Sequence, residues 1–589
     1  MSSQGHGFWR QVVAVRRGVW LVLALVFVGV MVSAAGLVFT ALLVGGEPAI
    51  AGNSVLQMKI SGDLQETEPG GVIGSLFEAP PTVRSVVDTL RKAKVDNRVT
   101  GIIIRPTGTA ALWGKVQEVR DAIVDFRTSG KPIVAYLEQG AEQEFYLASA
   151  CDKVFLMPTA SLDLTGMASY ELFLRGTLDK IGAYPDVLHV GEFKTAGNTF
   201  TEKGFTPSHR EMAESLNRNL FDQMVRGLAQ GRRKTEAEIR TLIDHGPFLP
   251  EDAVRAGLVD DVAYEDEVDD KVTLAKGKPR YTNEHDYRRV SAQSLGLNKG
   301  QRIAILYAVG MISTGQSPDG AQVVGSETMV EALRKIRADK SIKAVVIRID
   351  SPGGSAIASD VIWREVMLTR AEKPVIASMS DVAASGGYYI AMPAHQIVAQ
   401  PATLTGSIGV VMIKFAIGGT LQKLGINMEG VTAGKYADLY SPARPFSPDE
   451  RAKVQEHMQA TYDAFVEKAA AGRQTTPERI DAIAQGRVWT GQQAKDLGLV
   501  DELGGLQHAL SLAKARAQID PKDEVEIVTY PQKKSFYELV QAPFGVEGSA
   551  LLRMVLGVRD GKAVEALTAP LRVFRRGEPL AIMPNVFVR

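Results

Sequence analysis

"KAVVIRIDSPGGSAI", residues 343–357, decides the fold class. A β-branched apolar run ends in an aspartate, a proline and a pair of glycines, and helical spacing of apolar residues follows over 356–370. A second such run, "PVIASM" at 374–379, returns at once. Strand, helix, strand in that order is the signature of a parallel sheet with right-handed crossovers. The order also occurs earlier, as "TGIIIR" at 100–105, helical spacing around 114–127, and "PIVAYL" at 132–137. The chain is therefore read as α/β, with two similar domains.

Working outward from those strands, the two halves stay nearly in register. "LRK" at 90–92 recurs at 333–335, "KPIVAYL" at 131–137 is echoed by "KPVIASM" at 373–379, and Lys194 in "VGEFK" faces Lys435 in "VTAGK". "GPFLPEDAVRAGLVDD" at 246–261 matches "GRVWTGQQAKDLGLVDE" at 486–502. A nearly constant spacing held over such a distance marks a tandem duplication. The expected organisation is a first repeat over 47–262, a charged, turn-rich linker region over 263–300 and a second repeat over 301–519. An extension over 520–589 has no counterpart in the first copy and no role readable from its residues.

The N-terminus bears on compartment. Gly18 to Gly46 holds 29 residues without a charge, long enough to span a bilayer core of roughly 20 helical residues. Arg10, Arg16 and Arg17 precede it and Glu47 follows, which places residues 1–17 in the cytoplasm and everything after 46 across the membrane. "SAAG" at 33–36 leaves a cleavable signal peptide as the rival, but the apolar region is far longer than such peptides carry. Lys plus Arg and Asp plus Glu both number 67, so no global field draws nucleic acid. The one cysteine, Cys151, excludes an intramolecular disulfide and reads as a small core residue.

The copies diverge where strands meet loops. "DSPGGSAI" at 350–357 stands against "PTGTAALW" at 106–113, and "DVAASGGYYIAM" at 381–392 stands against a stretch containing "EQEFYLAS". "LTGSIG" at 404–409 stands against "LTGMAS" at 164–169, so Ser407 faces Met167. Glycine pairs after a strand let backbone N–H groups converge on one point, as in an oxyanion hole or a phosphate loop. One copy keeps three such loops and a hydroxyl. The other has lost them all, as duplication followed by loss of a site would produce.

"DSPGGS", "ASGGYY", "TLTGSIGV" and "GLVDELGG", in this order, resemble the signal peptide peptidase A family in its long, two-domain form. The resemblance covers roughly residues 50–510 and implies tandem Clp/crotonase-like domains after one transmembrane helix. It implies a serine peptidase of the bacterial inner membrane that degrades apolar signal-peptide fragments by a Ser–Lys dyad. It also implies a ring, a homotetramer, with catalytic domains on the periplasmic side. Carried over, Ser407 is the nucleophile, Lys194 the general base, and Gly353 and Gly354 contribute to the oxyanion hole. Ser385, where Clp proteases carry their nucleophile, is the second candidate.

The residues agree with a lysine base. A serine hydroxyl needs an adjacent base, and none of the eight histidines lies in the small-residue loops. A lysine serves if burial lowers its pKa. The repeat offers two, Lys194 and Lys435. In an alternating ring Lys194 meets Ser407 while Lys435 points at Met167. No metal-ligand cluster and no Walker-type loop is present, so no cofactor and no metal are expected. A membrane-anchored oligomeric scaffold with a decayed site and a crotonase-like acyl-CoA enzyme remain as alternatives.

Overall fold

The computed structural model describes residues 25, 27–29, 31–32, 36, 47–68, 81–275, 277–318, 321–532, 579–584 and 587–588. The anchor expected over 18–46 falls mostly outside the described residues, and no described helix is long and apolar enough to cross a membrane.

The first repeat runs β1 (Ser54–Gly62), α1 (Val83–Val95), β2 (Val99–Thr109), α2 (Trp113–Arg127), β3 (Ile133–Leu137), α3 (Glu142–Ala148) and β4 (Lys153–Leu156). Then come β5 (Ser169–Tyr170), β6 (Tyr184–Val190), the long α4 (Pro207–Arg232), β7 (Asp261–Val262) and β8 (Arg280–Asn283). The second repeats the order as β9 (Gln301–Val309), β10 (Met311–Ser313), β11 (Val323–Gly325), α5 (Ser326–Ala338), β12 (Ile342–Ser351) and β13 (Gly353–Ser355). It continues with α6 (Ala356–Arg370), β14 (Val375–Ala384), α7 (Gly386–Ala391), β15 (Gln396–Ala399), β16 (Leu404–Gly406) and β17 (Val410–Ala416). The long α8 (Pro448–Gly472), β18 (Val488–Thr490), β19 (Glu502–Leu503) and β20 (Val525–Tyr530) complete it. Two short strands near the C-terminus follow, β21 (Leu580–Ile582) and β22 (Phe587–Val588).

Each repeat builds a sheet that is parallel along its centre. The order is β7-β4-β3-β2-β1-β8 in the first and β18-β16-β14-β12-β9-β20 in the second. Ile102 to Ile104 and Val345 to Ile347 are fully buried, because helices cover both faces of a parallel sheet and leave no polar side to alternate with. The stretch expected as a linker region contributes a strand: β8 pairs with β1 and extends the first sheet.

A third sheet, ordered β11-β10-β13-β21-β17-β6, belongs to neither repeat alone. β6 of the first repeat runs antiparallel to β17 of the second over seven residue pairs, from Val410–Val190 to Ala416–Tyr184. Buried charges also join the repeats. Arg348 of β12, fully inaccessible, donates to Glu66 at 2.8 and 2.9 Å and to Glu118 at 2.7 Å. Lys115 of α2 pairs with Asp350 at 2.8 Å. Removing one partner would strand charge in a dry interior, so the cluster fixes how the repeats meet more than it adds net stability.

Candidate active site

β14 ends at Ala384, and the chain turns sharply at Ser385 into α7. Ser385 has φ 54° and ψ −111°, a backbone that a residue with a Cβ holds only under strain. The turn is tight because Gly386 and Gly387 give room: a Cβ on Gly386 would lie 3.1 Å from Gly353 Cα and 3.2 Å from Gly354 N. The "PGG" and "SGG" loops therefore pack backbone to backbone, with the amides of Gly354 and Gly386 beside Ser385. Of the two glycines named from sequence, Gly353 already donates its N–H to Ser351 Oγ at 3.2 Å.

Ser407 follows the last residue of β16 and carries φ 49°. Its N–H donates to the Arg487 carbonyl at 2.7 Å, which ties the loop to β18's approach. Lys194 arrives from the other repeat, four residues past the end of β6. Pairing of β6 with β17 delivers that loop, and two glycines let it press in. A Cβ on Gly191 would lie 2.4 Å from the Gln485 carbonyl carbon, and one on Gly486 would lie 2.5 Å from Lys194 Cβ.

The result is a three-residue contact in which Lys194 Nζ lies 2.8 Å from Ser385 Oγ, 3.0 Å from Ser407 Oγ and 2.8 Å from the Ser407 carbonyl oxygen. All three residues are buried, the serines completely. No carboxylate touches the amine, and burial alone holds the Lys194 pKa well below the ordinary lysine value. A lysine whose proton is made easier to lose, set beside a hydroxyl, is a proton acceptor of the kind nucleophilic catalysis needs.

Lys435 lies elsewhere. It is solvent-exposed and paired with Asp449 at 2.7 Å. Met167 packs partly buried against the first repeat's core. His395 accepts from the Val375 N–H through Nδ1 at 3.1 Å, a structural contact. Among the described residues no group of acidic, histidine or cysteine side chains could hold a metal ion. Sequence reasoning named all three contact residues but not the glycines at 191 and 486 that admit the lysine. Their signal, close approach of two loops 295 positions apart, exists only in three dimensions.

A family model described as "Peptidase family S49" matches residues 125–277 and 367–520. The chain is 37% identical over 517 residues to "Serine protease SPPA, chloroplastic" of Arabidopsis thaliana, covering 86% of this chain and 76% of that one. It is 35% identical over 448 residues to "Protease 4" of Salmonella typhi, covering 74% and 72%. Among solved structures, ClpP1 from Listeria monocytogenes is 16% identical over 36% of this chain and 94% of its own, with a TM-score of 0.22, too low to carry an argument.

Proposed function

The chain belongs to peptidase family S49 and is a serine peptidase, and on that footing we propose that it cuts apolar peptides with Ser385 as nucleophile and Lys194 as base. The carrying observation is the 2.8 Å contact between a buried lysine with no carboxylate partner and a serine on a strained strand-to-helix turn. As Ser385 Oγ attacks the scissile carbonyl, its proton passes to neutral Lys194 Nζ. The same proton then goes to the leaving amine, and water repeats the sequence on the acyl-enzyme. The amide of Gly386 is the candidate donor to the oxyanion, with the loop of Gly353 and Gly354 packed beside it. Ser407 gives Lys194 two acceptors, hydroxyl and carbonyl, and so aims the amine. This reading reverses the sequence-based order of the two serines.

The reaction calls on no cofactor, and neither the decayed scaffold nor the acyl-CoA enzyme is favoured by relatives named as proteases. Signal-peptide fragments left in a bacterial inner membrane are the proposed substrates. The uncharged segment over 18–46 would anchor the catalytic repeats on the periplasmic side, and its length and flanking arginines support this. A homotetrameric ring is supported by the repeat: 425–431, the counterpart of β6, has exposed Ile426, Met428 and Val431, and the counterpart of β17 near β5 exposes Tyr170 and Leu172. Pairing these segments between neighbouring copies would repeat the β6–β17 junction.

Ser385→Ala and Ser407→Ala test the assignment on a fluorogenic apolar peptide. Ser385→Ala is expected to lose roughly 10⁴-fold or more in kcat. Ser407→Ala, which removes one hydrogen bond to the amine, is expected to lose about tenfold. A covalent serine probe should map to Ser385; labelling of Ser407 alone would return the nucleophile to that residue.

A further inference from the structure

β13 and β17 are not paired with each other. Each pairs with β21, a three-residue strand from the far end of the chain. Neighbouring strands lie about 4.8 Å apart, so taking β21 out would leave a slot about 10 Å wide, the width of one extended peptide. Both walls would then show unpaired backbone groups, the arrangement by which an added strand is captured.

The slot runs over the catalytic turn. β21 is antiparallel to β13, with Gly353 opposite Ile582, Gly354 opposite Ala581 and Ser355 opposite Leu580. The run is bracketed by Ala356 N–H donating to the Pro579 carbonyl at 3.2 Å and Met583 N–H donating to the Pro352 carbonyl at 2.9 Å. A Cβ on Gly353 would lie 1.9 Å from the Ala581 carbonyl oxygen and 2.7 Å from Gly386 N, so the tail crosses directly beside the amide that follows Ser385. One residue on, the Met583 side chain is buried among Met212, Leu216, Ala384, Leu404 and Val488. Ala384 precedes Ser385, and Phe193, the neighbour of Lys194, packs against the same cluster. The pocket is thus walled by the residues adjoining the nucleophile and the base.

Resting on the assignment of Ser385 and Lys194 above, we infer that Pro579–Pro584 is an internal competitor lying in the substrate groove, with Met583 filling a pocket that reads one apolar substrate side chain. The segment "PLAIMP" has no charge, as an apolar peptide substrate would not. Prolines at both ends lack the N–H needed to extend the ladder, so within the slot the tail is held by only a few residues, its next pairing being that of β22 with β5. With the tail in place, a substrate strand has no access to the same edge of β13.

The test separates occupancy from chemistry. Full-length Ser385→Ala protein, unable to cut by the proposed route, is titrated with a fluorescein-labelled copy of residues 578–585, with and without the added change Met583→Glu. The proposal expects at least tenfold tighter peptide binding when Met583 is changed, and no binding of a labelled copy bearing glutamate in place of methionine. Equal affinity with either tail, or no binding to any variant, overturns it. If Met583→Glu misfolds by circular dichroism, the chain ending at Glu578 supplies the same comparison. In the Ser385-intact protein the change should lower KM for a short apolar peptide with little effect on kcat. Peptidase activity that survives Ser385→Ala would sink the catalytic assignment and leave the binding result standing.

Discussion

β6 and residues 425–431 occupy corresponding places in the two repeats, yet only one is a strand. Tyr184–Val190 pairs with β17 along its full length, whereas 425–431 has no regular structure and Val431 is fully exposed. A strand needs a partner, and within one chain only the first copy has one in reach. Everything at the site follows from that inequality. β6 carries Lys194 to the two serines, where burial lowers its pKa. Lys435 stays in solvent on an ion pair with Asp449. The duplicated lysine is the same residue in two fates, and topology decides between them.

The comparison breaks most severely if the two lysines prove interchangeable. Lys194→Ala is expected to lower kcat on an apolar peptide by roughly 10⁴-fold or more, since nucleophile and base act as a unit. Lys435→Ala should keep wild-type turnover. Activity must rise with pH as Lys194 gives up its proton, and because its pKa is depressed by burial, that rise should fall below the ordinary lysine range. Stability carries the same sign. Between the folded and unfolded pKa values the unfolded chain binds the extra proton, so folding strengthens as pH climbs through that window toward 10.5. Denaturant midpoints of Lys194→Met measured against pH should exceed wild type at neutral pH, with the gain shrinking as pH rises. A constant difference would mean the amine is not depressed.

Much of this was legible in the chain. The strand-helix-strand order, the duplication and the glycine loops that survive only in the second copy follow from spacing and residue type, which are local properties. Ser385, Ser407 and Lys194 were all named. The order proposed for the two serines rests on which hydroxyl sits at the strained helix-entry turn beside the glycine loop. Both serines have positive φ, and a sequence does not print φ. The tail strand was hidden for another reason. "LAI" has meaning only as the complement of a slot whose walls lie more than 160 residues away. The same holds for Arg348, an ordinary strand residue until Glu66 and Glu118 meet it.

A milder challenge addresses the unpaired segment itself. If 425–431 finds its strand partner on a second copy, Val431→Asp places a charge on that junction and should shift the detergent-solubilised protein to smaller species in sedimentation. The in-chain junction, and with it the Lys194 contact, would remain built. An unchanged mass distribution would leave the exposed apolar side chains without that partner.

The smallest expected effect is the most discriminating. Met167→Ser restores the hydroxyl that the first copy lacks, in a loop that still carries the shared Thr-Gly pair. If serine alone made a site, a second activity would appear, detectable as residual turnover in a Ser385→Ala background. None is expected. The first repeat has "PTGTAALW" where the second has its glycine pair, so no loop packs beside a nucleophile turn to offer amides. Where Ser385 stands, the first copy has α3, whose Glu144 accepts from the Thr109 N–H at 2.7 Å and closes that corner with a side chain. Lys435 remains an exposed, charged amine and has no reason to act as a base. The substitution should cost under about 1 kcal/mol of stability, the range for a half-buried side chain away from special geometry. Measurable turnover from the double variant would mean that a neighbouring copy had supplied both the lysine and the oxyanion donors, and that the second junction is latent rather than lost.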